Sequence, residues 1–332
     1  MGKLTIWPCT LQFNVDTDPK YQAWLRNDHP REFAYRSLIN YLIDFGRGAK
    51  IERILDAGTG TGVWAIALAS VLPYAEVDAI DIQEENIGVA KENAKVFPTL
   101  ESRLNFMTAD VNKFRPNKSY DIIVTELEGG IGGNEGAKRA FNSLRRLLSP
   151  KGMIIPQLCE TYILPVDLGE INQLLPNTGA NLILKGMTIS DPFSCYYYVY
   201  GVGNSAFLSG PLLLDSIDSQ KPIQEGYTKK LEFTVKRNGK ITGFLAYFEN
   251  RLLLSGGPSL RLTNHPDCPI TSWGQVYFPV HELNVRADDT ITLKFSECIT
   301  SKGPLPHYEW EVSKNGAVFG SYSNEENQIR RK

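Results

Sequence analysis

Cysteine and histidine are both scarce in this chain of 332 residues. The five cysteines lie far apart without any Cys-x-x-Cys pair, and the four histidines lack a spacing typical of metal ligands. Zinc sites and the disulfide frameworks of small secreted proteins both rely on such patterns. We therefore predict no metal site, reduced thiols and a cytoplasmic protein.

Long apolar runs and a strong net charge are absent as well. No run in the sequence approaches the roughly 18 residues of a membrane span, and the first residues lack the pattern of a signal peptide. With 35 basic and 37 acidic residues the formal net charge is −2. This balance indicates neither a nucleic-acid-binding nor a membrane-binding protein. The length leaves room for two domains.

The chain is organised around the stretch 121–136, which reads DIIVTELEGGIGGNEG. It opens with the short apolar run of a buried strand. Glu126 follows that run, and Glu135 comes nine residues later. The glycines between them accept positive φ, so a tight fold-back could bring the two carboxylates face to face. Such a pair can grip a planar cation, although a solvated glutamate-rich turn is the alternative for this stretch alone.

A second glycine cluster, at 58–62, lies between a predicted strand at 51–56 and a predicted apolar helix at 63–72. This order of elements opens a doubly wound α/β domain. Its further strands are predicted at 76–80, 104–107, 121–124 and, after a helix at 137–148, from 153 onward.

After Pro156 alternating apolar and polar runs replace the helical spacing, with turn signals such as Asn315-Gly316. They predict an antiparallel β domain. The runs cover 195–202, 229–236, 241–248, 275–280, 290–295 and 307–312.

The spacing of the cluster at 58–62 is G-x-G-x-G. It differs from the dinucleotide fingerprint G-x-G-x-x-G, because Val63 stands where the last glycine would be. The pattern suits S-adenosylmethionine (SAM), with Asp56 placed to hold the ammonium group of the ligand. Asp81 ends the second strand and can take the ribose hydroxyls, and Asp110 follows the third strand and could accept from the adenine amino group. The predicted cofactor-binding residues are Asp56, Gly58, Gly60, Gly62, Asp81 and Asp110.

These motifs resemble those of the protein arginine methyltransferase family, from about residue 21 to residue 312. LDAGTGTG is similar to the first SAM motif of the family, TELEGGIGGNEG to its double-glutamate loop, and SPKGMIIP to the strand that leads into its β barrel. GFLAYFE and LSGGP are similar to barrel strands. The tripeptide TSW at 271–273 stands at the family's Thr-His-Trp loop. Its serine, together with YEW at 308–310, resembles the symmetric-dimethylating (type II) branch.

The resemblance implies a Rossmann-like SAM-dependent methyltransferase domain at 51–155, followed by an antiparallel β-barrel domain at 156–332. A helical segment at 1–50 would cover the cofactor, and an arm at 167–190 would form the contact of a homodimer. The N-terminal barrel domain of the type II enzyme has no counterpart in these 332 residues. The resemblance assigns catalysis to Glu126 and Glu135, substrate binding to Leu25, Ser272 and Trp273, and cofactor binding to Arg31 and Val111 in addition to the residues above.

The predicted activity is SAM-dependent N-methylation of a guanidino group, with S-adenosyl-L-homocysteine as the product. The acceptor is arginine in a protein or peptide or, alternatively, a small guanidino compound such as free arginine. Leu25 stands where the type II branch has phenylalanine and other branches have methionine, so the sequence leaves the methylation pattern open. A non-catalytic SAM- or peptide-binding module with the same fold is the alternative of another class.

Overall fold

The computed structural model describes residues 5–8, 28–48, 50–169, 171, 191–255, 260–299 and 306–324. Leu25 and most of the predicted arm at 167–190 lie outside these ranges. Within them, no helix has the length and apolar character needed to cross a membrane.

The first half of the chain alternates strands and helices. Its elements are β1 (Thr5–Pro8), α1 (His29–Gly48), β2 (Arg53–Ala57), α2 (Val63–Val71), β3 (Glu76–Asp81), α3 (Glu84–Ala94), β4 (Leu104–Thr108), β5 (Tyr120–Thr125), α4 (Ala137–Leu144) and β6 (Leu148–Ile155). The second half consists mainly of strands: β7 (Leu158–Val166), β8 (Tyr197–Tyr200), β9 (Leu212–Asp218), β10 (Tyr227–Thr234), β11 (Gly239–Arg251), β12 (Arg261–Thr263), β13 (Gln275–Val285), β14 (Thr290–Cys298), β15 (His307–Lys314) and β16 (Ala317–Ser323).

Strands β2 to β6 form a parallel sheet in the order β4-β3-β2-β5-β6. The central strands β2 and β5 are buried on both faces, as the apolar run of β5 predicted for that strand, and Ile54 lies beside Ile122. The strand order reverses between β2 and β5, and such a reversal opens a crevice at the carboxyl ends of the strands. The predicted Rossmann-like domain is therefore confirmed.

The helix after the double-glutamate loop is shorter than predicted. It ends at Leu144, a single 3₁₀ turn follows, and β6 begins at Leu148 rather than at Met153. Leu148 pairs with Tyr120, and the register shifts before the next pair, Ile122 with Met153. Pro150 falls in this irregular stretch, where a missing backbone donor is tolerated, so it interrupts the strand without ending it.

Helix α1 begins directly after Asp28. The Asp28 carboxylate accepts a hydrogen bond from the Arg31 backbone N–H at 3.0 Å, which caps the first turn. The helix buries Ala34, Tyr35 and Leu38 against the Rossmann-like domain. Its first turn carries Arg31, whose side chain reaches Glu126 just past the end of β5, so this turn lies near the carboxyl edge of the sheet.

The second half of the chain folds into two antiparallel sheets, which confirms the predicted change of architecture. One contains β1-β8-β13-β11-β7-β9 with β12 beside β11, and the other contains β10-β14-β15-β16. Each of the six predicted runs overlaps a strand, and Asn315-Gly316 forms the turn between β15 and β16 with positive φ at both residues. The strands β7, β9, β12 and β16 were not predicted.

Candidate functional site

The glycine turn between β2 and α2 faces the open edge of the sheet. Gly58, Gly60 and Gly62 all have positive φ, at 82°, 53° and 81°. A Cβ at Gly62 would lie 2.9 Å from Ala90 Cβ, so helix packing requires glycine there, whereas a Cβ at Gly60 would meet nothing within 4 Å. The turn thus presents bare backbone to open space, as a close-fitting ligand requires.

Asp56 lies at the end of β2, 2% exposed, and accepts a hydrogen bond from Thr59 Oγ1 at 2.6 Å. Burial raises the pKa of this carboxyl to about 7, against the opposing effect of the Thr59 bond, and the charge of Glu126 raises it further. A cation bound nearby would favour the ionised form. Asp56 is therefore suited to an ammonium ligand.

Asp81 supports the glycine turn from the neighbouring strand. Its carboxylate accepts hydrogen bonds from the backbone N–H groups of Gly60 and Gln83, both at 2.9 Å. Asp110 lies past the end of β4, and its carboxylate accepts from the Asn112 N–H at 2.9 Å, while Val111 packs against the core. Asp81 and the turn are in direct contact, and Asp110 belongs to the next strand end.

The double-glutamate loop folds back on itself, as its glycines predicted. Gly129 and Gly132 form an antiparallel bridge, and the chain then enters α4. A Cβ at Gly129 would lie 2.9 Å from Glu135 Cγ. The second half of the loop therefore places the Glu135 side chain against the backbone of Gly129 in the first half. Only glycine leaves room for this arrangement, since real Cβ atoms essentially never approach so closely.

The same loop lies directly against the β domain. A Cβ at Gly130 would lie 2.8 Å from Tyr198 Cε1, and one at Gly132 would lie 2.8 Å from Cys159 Sγ. Asn134 Nδ2 donates to the Tyr198 hydroxyl at 2.7 Å. The β domain therefore shapes the loop that carries both glutamates.

A buried ion cluster supports the loop where α4 begins. Lys138 Nζ lies 2.7 Å from Glu297 Oε1 and 2.8 Å from Asp215 Oδ2, and it also lies 4.5 Å from the centroid of the Tyr227 ring. A Cβ at Gly133 would lie 3.3 Å from Glu297 Oε2. The sequence did not predict this cluster, which joins the Rossmann-like domain to strands β9 and β14.

Arg31 binds Glu126, a contact that the sequence did not predict. Its Nε donates to Glu126 Oε1 at 2.6 Å, and its Nη2 donates to Oε2. The guanidinium carbon also lies 5.4 Å from the Trp64 ring centroid and 5.9 Å from that of Tyr35. Burial opposes the charge, yet the ion pair outweighs it and raises the pKa of Arg31 above its usual value. The site thus holds a guanidinium in bidentate contact with a predicted catalytic carboxylate.

Glu128 is a further carboxyl of this region. It is 3% exposed, and its Oε1 has no hydrogen-bond partner in the part of the chain that the structure describes. Burial raises its pKa to about 8, and the charge of Glu126 adds to the effect. The charge of Glu126 thus acts on both Asp56 and Glu128 and favours their protonated forms, so a cation bound near these carboxyls would favour their ionised forms.

Ser272 and Trp273 belong to a loop that meets α1. The Ser272 backbone N–H and hydroxyl both donate to Asp28 Oδ2, at 2.5 and 2.7 Å. Trp273 is 9% exposed, packs edge-on against Phe248, and lines a cavity of about 570 Å³ on the β domain. Trp273 thus belongs to the core and to a cavity wall at once.

Two family models match the chain. A methyltransferase domain model matches residues 54–152, and a model of the PRMT5 oligomerisation domain matches residues 193–330. Among curated relatives, Protein arginine N-methyltransferase 5 of Drosophila melanogaster is 26% identical over 278 residues, and that of Xenopus laevis is 22% identical over 298 residues. These matches cover 79% and 85% of this chain but only 42% and 44% of the two relatives.

Solved structures share the fold at low sequence identity. The Trypanosoma brucei PRMT1 enzyme–prozyme heterotetrameric complex with AdoHcy aligns with a TM-score of 0.76 and 18% identity, over 93% of this chain and 99% of that one. Arabidopsis thaliana Protein Arginine Methyltransferase 10, in an open conformation, also has a TM-score of 0.76, with 17% identity, over 94% and 100% of the two chains. The likeness therefore covers both halves of the molecule.

Proposed function

This chain belongs to the protein arginine methyltransferase family, and from that premise we propose that it transfers a methyl group from SAM to a guanidino nitrogen of arginine in a protein or peptide. One observation carries the proposal: Glu126 holds a guanidinium, that of Arg31, through both carboxylate oxygens. An arginine side chain of the acceptor presents the same planar donor set.

We propose that the cofactor lies along the carboxyl edge of β2, β3 and β4. The open space at Gly60 and the raised pKa of Asp56 support the fit. When bound, SAM supplies the methyl group as a sulfonium-activated carbon. Asp56 faces the ammonium group and Asp81 the ribose hydroxyls. The full set of proposed cofactor-binding residues is Arg31, Asp56, Gly58, Gly60, Gly62, Asp81, Asp110 and Val111.

Arg31 has two proposed partners in this scheme. In the structure it pairs with Glu126, and in the proposed complex it holds the carboxylate of the cofactor. When Arg31 turns to the cofactor, it would release Glu126, and the Glu126 carboxylate would then be available to the acceptor guanidinium. Cofactor binding would therefore precede acceptor binding.

Glu126 and Glu135 form the proposed acceptor clamp. A guanidinium is a poor nucleophile because its charge is delocalised over three nitrogens. Two carboxylates that grip one side of it localise the charge there and hold the remaining nitrogen toward the methyl group, so positioning provides much of the rate enhancement. The carboxylates also accept the proton that must leave as the new N–C bond forms. Trp273, Ser272 and Leu25 complete the proposed acceptor site.

We propose the following organisation around this site. Residues 51–155 bind the cofactor, residues 1–50 cover it, and the two antiparallel sheets of residues 156–332 close into a β barrel that holds the acceptor. The match to an oligomerisation domain supports an oligomer, and we propose a cytoplasmic homodimer in contact through the arm at 167–190. Light scattering of the intact chain tests the dimer.

Substitution of the two glutamates tests the activity. Glu126→Gln and Glu135→Gln keep the shape of each side chain and remove one charge. Each should lower the single-turnover rate of methyl transfer about a hundredfold or more at saturating SAM, as loss of a preorganised electrostatic contact does. Because the two residues act as a unit, the double variant should be little worse than either single one.

The control is Glu85→Gln, since Glu85 is exposed in the first turn of α3. It should keep the wild-type rate. Mass spectrometry against an arginine-rich peptide and free arginine identifies the acceptor, and methylation of free arginine alone would favour the small-molecule alternative. Wild-type rates in both glutamine variants would contradict the clamp. SAM binding without transfer to any acceptor would indicate a binding module.

A further inference from the structure

Three potential metal ligands meet at one end of the sheet β10-β14-β15-β16. Cys298, the last residue of β14, pairs directly with His307, the first residue of β15. Glu309 follows two residues later and so lies on the same face of β15 as His307. One ligand atom from each of the three lies within 4.8 Å of the other two. A thiol, an imidazole and a carboxylate thus converge on one point.

The imidazole of His307 is buried without a hydrogen bond. The residue is 5% exposed, and Nδ1 has no partner among the described residues. Its Nε2 lies 3.8 Å from Glu309 Oε1, which is too long for a hydrogen bond. By contrast, Nδ1 of His265 accepts from the Asp267 backbone N–H at 3.0 Å. Buried polar atoms without a partner are rare, and Nε2, the ring nitrogen that faces Glu309, is the one that would bind an ion.

We propose that Cys298, His307 and Glu309 bind a zinc ion. A thiolate, a neutral imidazole and a carboxylate form a ligand set that zinc accepts in tetrahedral geometry, with water in the fourth position. The thiolate disfavours calcium and magnesium, which prefer oxygen ligands. Binding forms the S–Zn bond and releases the thiol proton to solvent.

The position of the site indicates a structural role. Cys298 and His307 are the ends of two adjacent strands that residues 299–306 connect. An ion shared between these ends would hold β14 and β15 in register at the point where their pairing begins. Because none of the three ligands belongs to the proposed cofactor or acceptor site, the test of metal binding needs neither SAM nor an acceptor.

Cobalt titration tests the proposal on the intact chain after treatment with a chelator. We expect one equivalent of Co²⁺ to bind, with the near-ultraviolet absorption of a thiolate ligand and the visible bands of tetrahedral coordination, and Zn²⁺ should displace it. Cys298→Ser should remove the thiolate absorption, and His307→Gln should weaken binding about tenfold or more. The control is Cys268→Ser, another partly exposed thiol, which should bind as the wild type does.

Glu309→Gln should fold as the wild type does, because the side chain of Glu309 is 51% exposed and its loss should not disturb the core. This variant therefore keeps the test valid even if another variant fails to fold. Zn²⁺ should raise the thermal midpoint of the wild type, since folding holds the three ligands together and the folded state binds the ion more tightly than the unfolded chain, and should raise that of Glu309→Gln less. Absence of saturable cobalt binding would overturn the proposal. So would unchanged binding by a folded His307→Gln variant, since a thiol alone would then explain it.

Discussion

Asp56 should make SAM binding depend on pH. Its carboxyl has a pKa of about 7, so at pH 5.5 only about 3% of it is ionised, and at pH 7.0 about half is. If the ionised form holds the ammonium group, affinity should rise roughly fifteenfold over this interval, or about 1.6 kcal/mol. Above about pH 8 the amino group of the cofactor itself loses its proton, so the interval below pH 7 is the informative one.

Calorimetric titration with SAM from pH 5.5 to 7.0 measures this effect. Asp56→Asn should bind weakly and with little dependence on pH. Glu128 titrates about one unit higher than Asp56 and contributes little in this interval. Thr59 Oγ1 can still donate to the asparagine oxygen, so the variant keeps the turn.

Asp121→Asn is the matched control within the same sheet. Asp121 lies near the start of β5, where its carboxylate accepts from the backbone N–H groups of Glu52 and Arg53, at 2.9 and 3.1 Å. Burial opposes the charge, but these bonds outweigh it and lower the pKa of Asp121, so it should not alter the pH dependence. An affinity that is constant with pH in the wild type, or that rises equally in Asp56→Asn, would refute the role of Asp56.

Three further predictions concern the surroundings of the site. Asp81→Ala should weaken SAM binding by about 1.5–3 kcal/mol, because the variant loses a charged acceptor, and unchanged affinity by calorimetry would exclude Asp81 from the site. Lys138→Met leaves the buried Glu297 and the partly exposed Asp215 unpaired and should lower the free energy of unfolding by about 3–5 kcal/mol in urea titrations, with partial recovery when Glu297→Gln is added. Glu128 has a raised pKa, so the folded state favours its protonated form; this contribution to the free energy of unfolding is complete at low pH and is lost as the pH rises toward 8. Between pH 6 and 9 the wild type should therefore lose about 2–3 kcal/mol more stability than Glu128→Gln. Parallel stability curves for these two proteins would contradict that reasoning.

The residues at the carboxyl edge of the parallel sheet could be predicted from the sequence. Asp56, Asp81 and Glu126 each follow a short apolar run, and the rule that parallel strands end at one edge places them together without knowledge of packing. The glycine turns could be predicted for the same reason, since backbone conformation is a local property. The parts of the site that lie within one strand or one turn could thus be predicted from the sequence alone.

The contacts between distant segments could not be predicted in this way. Arg31 and Glu126 are 95 residues apart in sequence, and Lys138 and Glu297 are 159 residues apart. Their pairing depends on how α1 and the β domain pack on the parallel sheet, which no local pattern specifies.

The proposed zinc ligands illustrate the same limit within a single sheet. Cys298 and His307 become neighbours only through the register of β14 and β15. Their distance along the chain resembles no common zinc motif, so the expectation of no metal site followed from spacing alone. A search by strand register would have found the pair.

The packing of the double-glutamate loop against the β domain limits how this protein can be recombined. A Cβ at Gly130 or Gly132 would collide with Tyr198 or Cys159. The backbone of the loop is therefore closely complementary in shape to the surface of the β domain. A chimera that joined residues 51–155 to the β domain of a distant relative would press this loop against a differently shaped surface. Both halves could fold, and the clamp would still be misaligned. The two domains are therefore expected to be inherited together.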